Sequence, residues 1–255
     1  MRTIERGVYF FQGREFRVSR EIEVVMDPEQ RQRYLDGILR LDGLSHVEED
    51  PNAAYCPISL TTTPEELKPY VKSRQTILKG VLEKAGITAY DPGTAPYSPD
   101  INLTAQPNEV YLVDSGKVAG ARFFVGHNLL ASSGQSIESE KAKTFNRISV
   151  ILMDKSIRVS RMQPHRAIYL QYDNFEKQAP DFVEVFKVLK NYEPGMGFNG
   201  NVPVLLGFEK SGKAIVDLEE LIYQKFPHLQ YKYDGTLPII KLRSENPKLF
   251  YEHGQ

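Results

Sequence analysis

The sequence predicts an α/β protein with a parallel sheet covered by helices on both faces and shorter additions at either end. Two observations carry that reading. From Ala53 onward, short β-rich runs alternate with segments whose apolar residues recur at helical spacing, the pattern of βαβ units with right-handed crossovers. Outside that region the pattern changes. Residues 1–50 read as a hairpin and a helix, 51–195 as the α/β core, and 196–255 as a C-terminal α+β extension.

The elements follow in order. "GVYFFQGREFRVSREIEVV" places β-rich runs around a Gln-Gly turn, and in "DPEQRQRYLDGILRL" Asp27 can cap a helix whose first turn takes Pro28. A polar connection, "SHVEEDPN", leads to the strand "AAYCPISL". The apolar spacing of "KSRQTILKGVLEKAG" predicts a helix ending before Gly86, after which "ITAY" reads as a second strand and "DPGTAPYSPDINLTAQP" as a long loop. Then come a helix, "NEVYLVDSGKVAGA"; a strand, "RFFVGHNLL"; a small-residue loop opening another helix, "ASSGQSIESEKA"; and a strand, "RISVILMD". "APDFVEVFKVLKNY" predicts a further helix and "EPGMGFNGNVP" a Gly-rich linker. The remainder reads as a helix, "AIVDLEELIYQKF", and a hairpin turning at Asp234-Gly235.

Composition narrows the function. The 255 residues carry 32 Lys+Arg against 33 Asp+Glu, a net charge of −1, so no basic excess advertises a nucleic-acid polymer or an anionic membrane as partner. One cysteine, Cys56, excludes an intramolecular disulfide and a cysteine-based zinc site. No apolar run is long enough to cross a bilayer and the first residues lack a secretory pattern, so the expected location is cytoplasmic. "EKSGKA" ends in Ala214 where a phosphate-binding loop has the Ser or Thr that holds magnesium, and the glycines at 195, 197 and 200 lack a strand-to-helix setting.

Carboxylates carry the chemical signal. The loop with Ser132, Ser133, Gly134 and Ser136 allows close approach of a ligand to the amides at a helix start. Ordinary capping by serine explains the same residues. Glu138 and Glu140 are two apart and face different sides of a helix, so only one can face a pocket. Glu138 is nearer the loop, and Glu140 can pair with lysines in water. In the preceding helix, Val110, Tyr111, Val118 and Ala121 define an apolar stripe that contains Asp114. A carboxylate there needs a partner or a task. Ligands in such sheets bind beyond the carboxyl ends of the strands, which adds Tyr55, Ser59 and His127 to the substrate-binding candidates. For a lone histidine such as His127 a structural role stands beside that one.

The run "VDSGKVAGARFFVGHNLLASSGQSIESEKA" followed by "FNRISVILMDKSIRVSRM" resembles the nucleoside 2-deoxyribosyltransferase-like superfamily, nearest to its 2′-deoxynucleoside 5′-phosphate N-glycosidase branch. Ser132, Gly134 and Glu138 match that family's loop, Asp114 its upstream acid, and Ser160 with Met162 its last segment. The resemblance spans roughly residues 53–192. It implies a Rossmann-like, flavodoxin-like core, Glu138 as the nucleophile at the anomeric carbon, and Asp114 binding or protonating the departing base. It also implies that Ser132 and Gly134 hold the sugar's 5′ end or its phosphate, that Ser160 reaches a neighbouring subunit's site, and that the protein is a homodimer. The substrate would be a nucleoside or nucleotide, with no metal and no organic cofactor required. Water as acceptor gives a hydrolase, and a second base gives a transferase.

The sequence departs from the family at several points. Its first loop, "YCPISLTTTPEE", has a proline and no glycine, although Thr61, Thr62 and Thr63 offer polar contacts. Arg122 stands where the central strand begins with Asp in the family, His127 where an acid often ends it, and Ser136 where the loop has its second glycine. These changes and the terminal additions support a different alternative: a catalytically inactive nucleotide-binding sensor or interaction protein on the same fold.

Overall fold

The computed structural model describes residues 28–61, 63–130, 132–145, 147–156, 167–191 and 221–231, with five strands nearer the termini. Those are β1 (Arg2–Thr3), β2 (Val8–Phe11), β3 (Arg14–Arg17), β4 (Ile22–Val25) and β10 (Pro203–Leu206). Strands β2 and β3 form the expected antiparallel hairpin, while the Gln12-Gly13 turn lies outside the described residues. Strand β4 pairs antiparallel with both β1 and β10, which joins the two terminal parts of the chain in one small sheet. The Asp27 cap, the glycines at 195, 197 and 200, and the Asp234-Gly235 turn also lie outside the described residues.

The core alternates as the sequence predicts. Its elements are α1 (Pro28–Leu41), β5 (Asp50–Tyr55), α2 (Lys68–Lys84), β6 (Thr88–Tyr90), α3 (Pro107–Gly120), β7 (Ala121–Asn128), α4 (Ser133–Thr144), β8 (Ile148–Asp154), β9 (Ala167–Tyr172) and α5 (Phe175–Asn191). The five core strands are all parallel, in the order β6-β5-β7-β8-β9. This is a Rossmann-like sheet of flavodoxin-like order: the chain starts at β5, steps outward to β6, then reverses across β5 to β7. The reversal leaves a crevice beyond the carboxyl ends of β5 and β7.

Burial on both faces explains the apolar runs of the central strands. On one face, Phe123, Val125, Val150 and Leu152 pack with Leu78 and Leu82 of α2 and Phe182, Val185, Phe186 and Leu189 of α5. Ile222 and Leu229 from the C-terminal part join that layer, and Gln230 bridges to Leu170 of β9. On the other face, Tyr55, Phe124, Ile151 and Met153 pack with Leu39 of α1, Val118 and Ala119 of α3, and Ala142 of α4. Phe182 is fully buried between Tyr172 and Phe175, at ring distances of 6.1 and 5.4 Å. Phe182→Ala is therefore expected to cost about 3–5 kcal/mol, read as a lower urea midpoint with the helical signal of the folded state unchanged.

The amino-terminal edge of the sheet is tied by Arg147, only 4% exposed. Its Nε donates to the Phe145 carbonyl at 2.7 Å and its Nη1 to the Ala121 carbonyl at 3.1 Å, and it pairs with Glu49 just before β5. One cation thus registers the starts of β5, β7 and β8. Arg122 is at this same edge, its guanidinium 5.3 Å from the centre of the Phe123 ring, so the departure there is remote from the crevice.

Strands β1 and β10 have no counterpart in the sequence reading, and three elements of the core differ from it. Strand β9, "AIYLQY", was not anticipated, because no helix-like segment separates it from β8 to signal a crossover. Helix α5 starts at Phe175, not Ala179: the Asn174 side chain accepts the Lys177 amide at 2.9 Å and Pro180 is carried inside the helix. Helix α4 starts at Ser133, so Gly134 and Ser136 belong to its first turn instead of a loop before it.

Candidate active site

The crevice draws residues from four elements. Tyr55 is the last residue of β5 and Tyr90 the last of β6, paired in register; Asp114 comes from α3 and Glu138 from the second turn of α4. The start of α4 is fixed to the end of β7. Ser132 accepts the Gln135 amide at 3.2 Å as the N-cap, and the Gln135 side chain donates to Asn128 Oδ1 at 3.2 Å. Gly126 makes this approach possible, since a Cβ there would lie 3.1 Å from Gln135 Nε2 and 3.0 Å from Ile151. Glu138 follows one turn later, turned inward, while Glu140 is exposed and pairs with Lys143 at 3.0 Å.

The Tyr55 hydroxyl donates to Glu138 Oε1 at 2.7 Å. Tyr55 is fully buried, its ring stacked 6.1 Å from Phe124 and 5.6 Å from Tyr90, so packing determines where that proton points. Burial raises Glu138 to about 7; the Tyr55 hydrogen bond opposes this, and the nearby charge of Asp114 adds to it. Asp114 is raised to about 6 by burial, again against a hydrogen bond with Tyr55. A phenol has one hydrogen to donate. With that hydrogen on Glu138, a protonated Asp114 is the form that can donate to the phenol oxygen. The pair is therefore suited to holding one negative charge and one proton near neutrality, the combination an acid-assisted nucleophilic displacement requires.

The structure divides the residues that the sequence singled out. Tyr55, Asp114 and Glu138 come together. Ser132 caps the helix, and Gly134 lies exposed in its first turn with Ser132 Oγ 3.7 Å from where its Cβ would be. Ser136 is exposed and its hydroxyl turns back to the Ser132 carbonyl at 2.9 Å, away from the crevice. Ser160 and Met162 lie outside the described residues.

His127 and Ser59 line a different cleft, on the α2 side of the sheet, with Ile58, Val71, Gln75 and Leu129. His127 Nε2 and the Tyr172 hydroxyl are 2.5 Å apart, and the imidazole packs 4.6 Å from the Phe175 ring. Burial, with the positive charge of Arg74 adding to it, lowers His127 to about 3, so the ring is neutral. In the first loop, Thr63 is buried and donates to the Ser59 carbonyl, while Gln75 Nε2 donates to the Cys56 carbonyl at 2.8 Å. That loop is held by its own Thr63 and by Gln75 of α2.

Sequence reasoning missed Tyr90 and Lys117, whose ammonium lies 5.3 Å from the centre of the Tyr90 ring. The available signal was that Tyr90 ends the strand next to Tyr55, at the carboxyl edge where ligands bind. Among the described residues, no group of three or more His, Cys, Asp or Glu could hold a metal, and no helix is long and apolar enough to cross a membrane.

No protein-family model and no curated protein matches this sequence. Among solved structures, the Clostridium botulinum CMP N-glycosidase BcmB aligns with 50% of this chain and 94% of its own, at 15% identity and a TM-score of 0.37. The α/β assignment of this chain rests on its own strand pairing, five parallel strands reversing between β5 and β7.

Proposed function

We propose that the protein cleaves or transfers the N-glycosidic bond of a nucleoside or nucleotide, with Glu138 as nucleophile and Asp114 as acid. The carrying observation is the hydrogen bond from the buried Tyr55 hydroxyl to Glu138 Oε1 beside Asp114. In this reading ionised Glu138 attacks the anomeric carbon and the bond to the base nitrogen breaks. Its electron pair leaves with the base, which takes a proton from Asp114. The ester to Glu138 is then opened by water, or by a second base, with Asp114 taking up the proton released. As the sugar develops positive charge, a carboxylate held close by a fixed donor stabilises it. Burial shifts both carboxylic acids upward, so near neutrality the two share one proton, and the reactive form is the one with that proton on Asp114 and Glu138 ionised.

The test is chromatography for released base after incubating the full chain with 2′-deoxycytidine, 2′-deoxyadenosine, their ribose counterparts and the 5′-phosphates of all four. Each is run with and without adenine as acceptor. Base release supports the reading, and dependence on adenine assigns it to transfer. Saturable binding with no release from any compound would overturn it in favour of a sensor.

A further inference from the structure

Tyr90 has no part in the chemistry just described, yet its ring lies against Tyr55 and the charges of Asp114 and Glu138 reach it. Its ring stacks on Tyr55 with 28° between the planes, and the Lys117 ammonium, three residues along α3 from Asp114, holds it by a cation–π contact. The ring is thereby fixed. Its hydroxyl, by contrast, has no hydrogen-bond partner among the described residues, although the residue is half-buried. Burial, followed by the charges of Asp114, Asp91 and Glu138, pushes the phenol up to about 12, so it keeps its proton. It is a donor on a fixed ring, stacked on Tyr55 and within reach of the charges of Asp114 and Glu138.

The geometry points to Tyr90 as the residue that reads the leaving group, donating its hydroxyl hydrogen to a ring nitrogen or carbonyl oxygen of the heterocycle while Asp114 serves a second atom. This rests on the glycoside-cleaving reading and narrows it: the favoured substrates are N-glycosides whose base carries at least two acceptors. No bond is made or broken at Tyr90. The hydrogen bond strengthens as the base gains the electron pair of the departing bond, so its effect is larger in the transition state than in the bound substrate.

Tyr90→Phe removes the hydroxyl and keeps the ring, its stacking and its cation contact. The nucleosides of the release assay are compared with an aryl glycoside of the same sugar, whose leaving group has no heteroatom in its ring. The expected result is a loss of about 10- to 30-fold in kcat/KM on the nucleosides, with the aryl glycoside changed less than about two-fold. An equal loss on both would overturn the assignment, because Tyr90 would then act only through Tyr55 and Glu138. Unchanged nucleoside turnover would overturn it as well. Absence of turnover by the unsubstituted protein on every substrate is a separate outcome, which removes the glycosidase reading and this assignment with it.

Discussion

Glu138→Gln is expected to reduce base release by about 10⁴-fold or more, since it removes the atom that bonds to the sugar and leaves only orientation and the acid. The glutamine oxygen can still accept from Tyr55, so nucleoside binding should stay within a few-fold of the unsubstituted protein. The same change should stabilise the protein at alkaline pH. Glu138 rises from 4.5 to about 7 on folding, so between those values the folded state binds more protons than the unfolded one. Stability then falls as pH rises through that window, by up to about 3 kcal/mol at 1.36 kcal/mol per pKa unit. The glutamine variant lacks that loss. Its melting temperature should exceed that of the unsubstituted protein at pH 8 and converge with it near pH 4. Turnover surviving in the variant would sink the nucleophile assignment, and equal melting temperatures at pH 8 would refute the buried-carboxylate account.

Asp114→Asn should separate the acid from the nucleophile. With unactivated bases a loss of about 10²–10³-fold in kcat is expected, the usual worth of a positioned general acid. An aryl glycoside, whose leaving group needs little protonation, should lose far less. The pH profile gives the sharper reading. Two interacting carboxyls raised to about 6 and about 7 predict a narrow bell for kcat/KM, its limbs belonging to the pair. Asparagine cannot supply a proton, so the alkaline limb should vanish and leave a single rise as Glu138 ionises. A bell that persists in the variant would move the acid role to another group.

Much of this was legible in the residues. The alternation of strands and helices fixed the core because βαβ units repeat their own pattern, and the one core strand missed, β9, is the one that breaks the alternation. Glu138 was singled out because it lies nearest the small-residue loop at a helix start, and Asp114 because a carboxylate on an apolar helix face is costly without a partner. Their meeting was not legible, because it depends on α3 and α4 flanking the same side of the sheet. Nor was the separation of His127 from them. Sequence places His127 and Gly126 side by side, whereas the pleat turns one toward Tyr172 and the other toward Gln135. At the serine-rich start of α4 the Ser132 hydroxyl caps the helix, accepting the Gln135 amide.

Strand β7 has a consequence for how such a protein can change. Phe123, Val125 and His127 belong to the side packed by α2 and α5, while Phe124, Gly126 and Asn128 support the side that carries Glu138. Substituting positions 123 to 128 in turn would therefore yield two interleaved profiles, odd positions shifting stability with chemistry spared, even ones altering turnover first. A lineage can retune the robustness of one layer without disturbing the reactivity of the other, because a single strand keeps their histories apart.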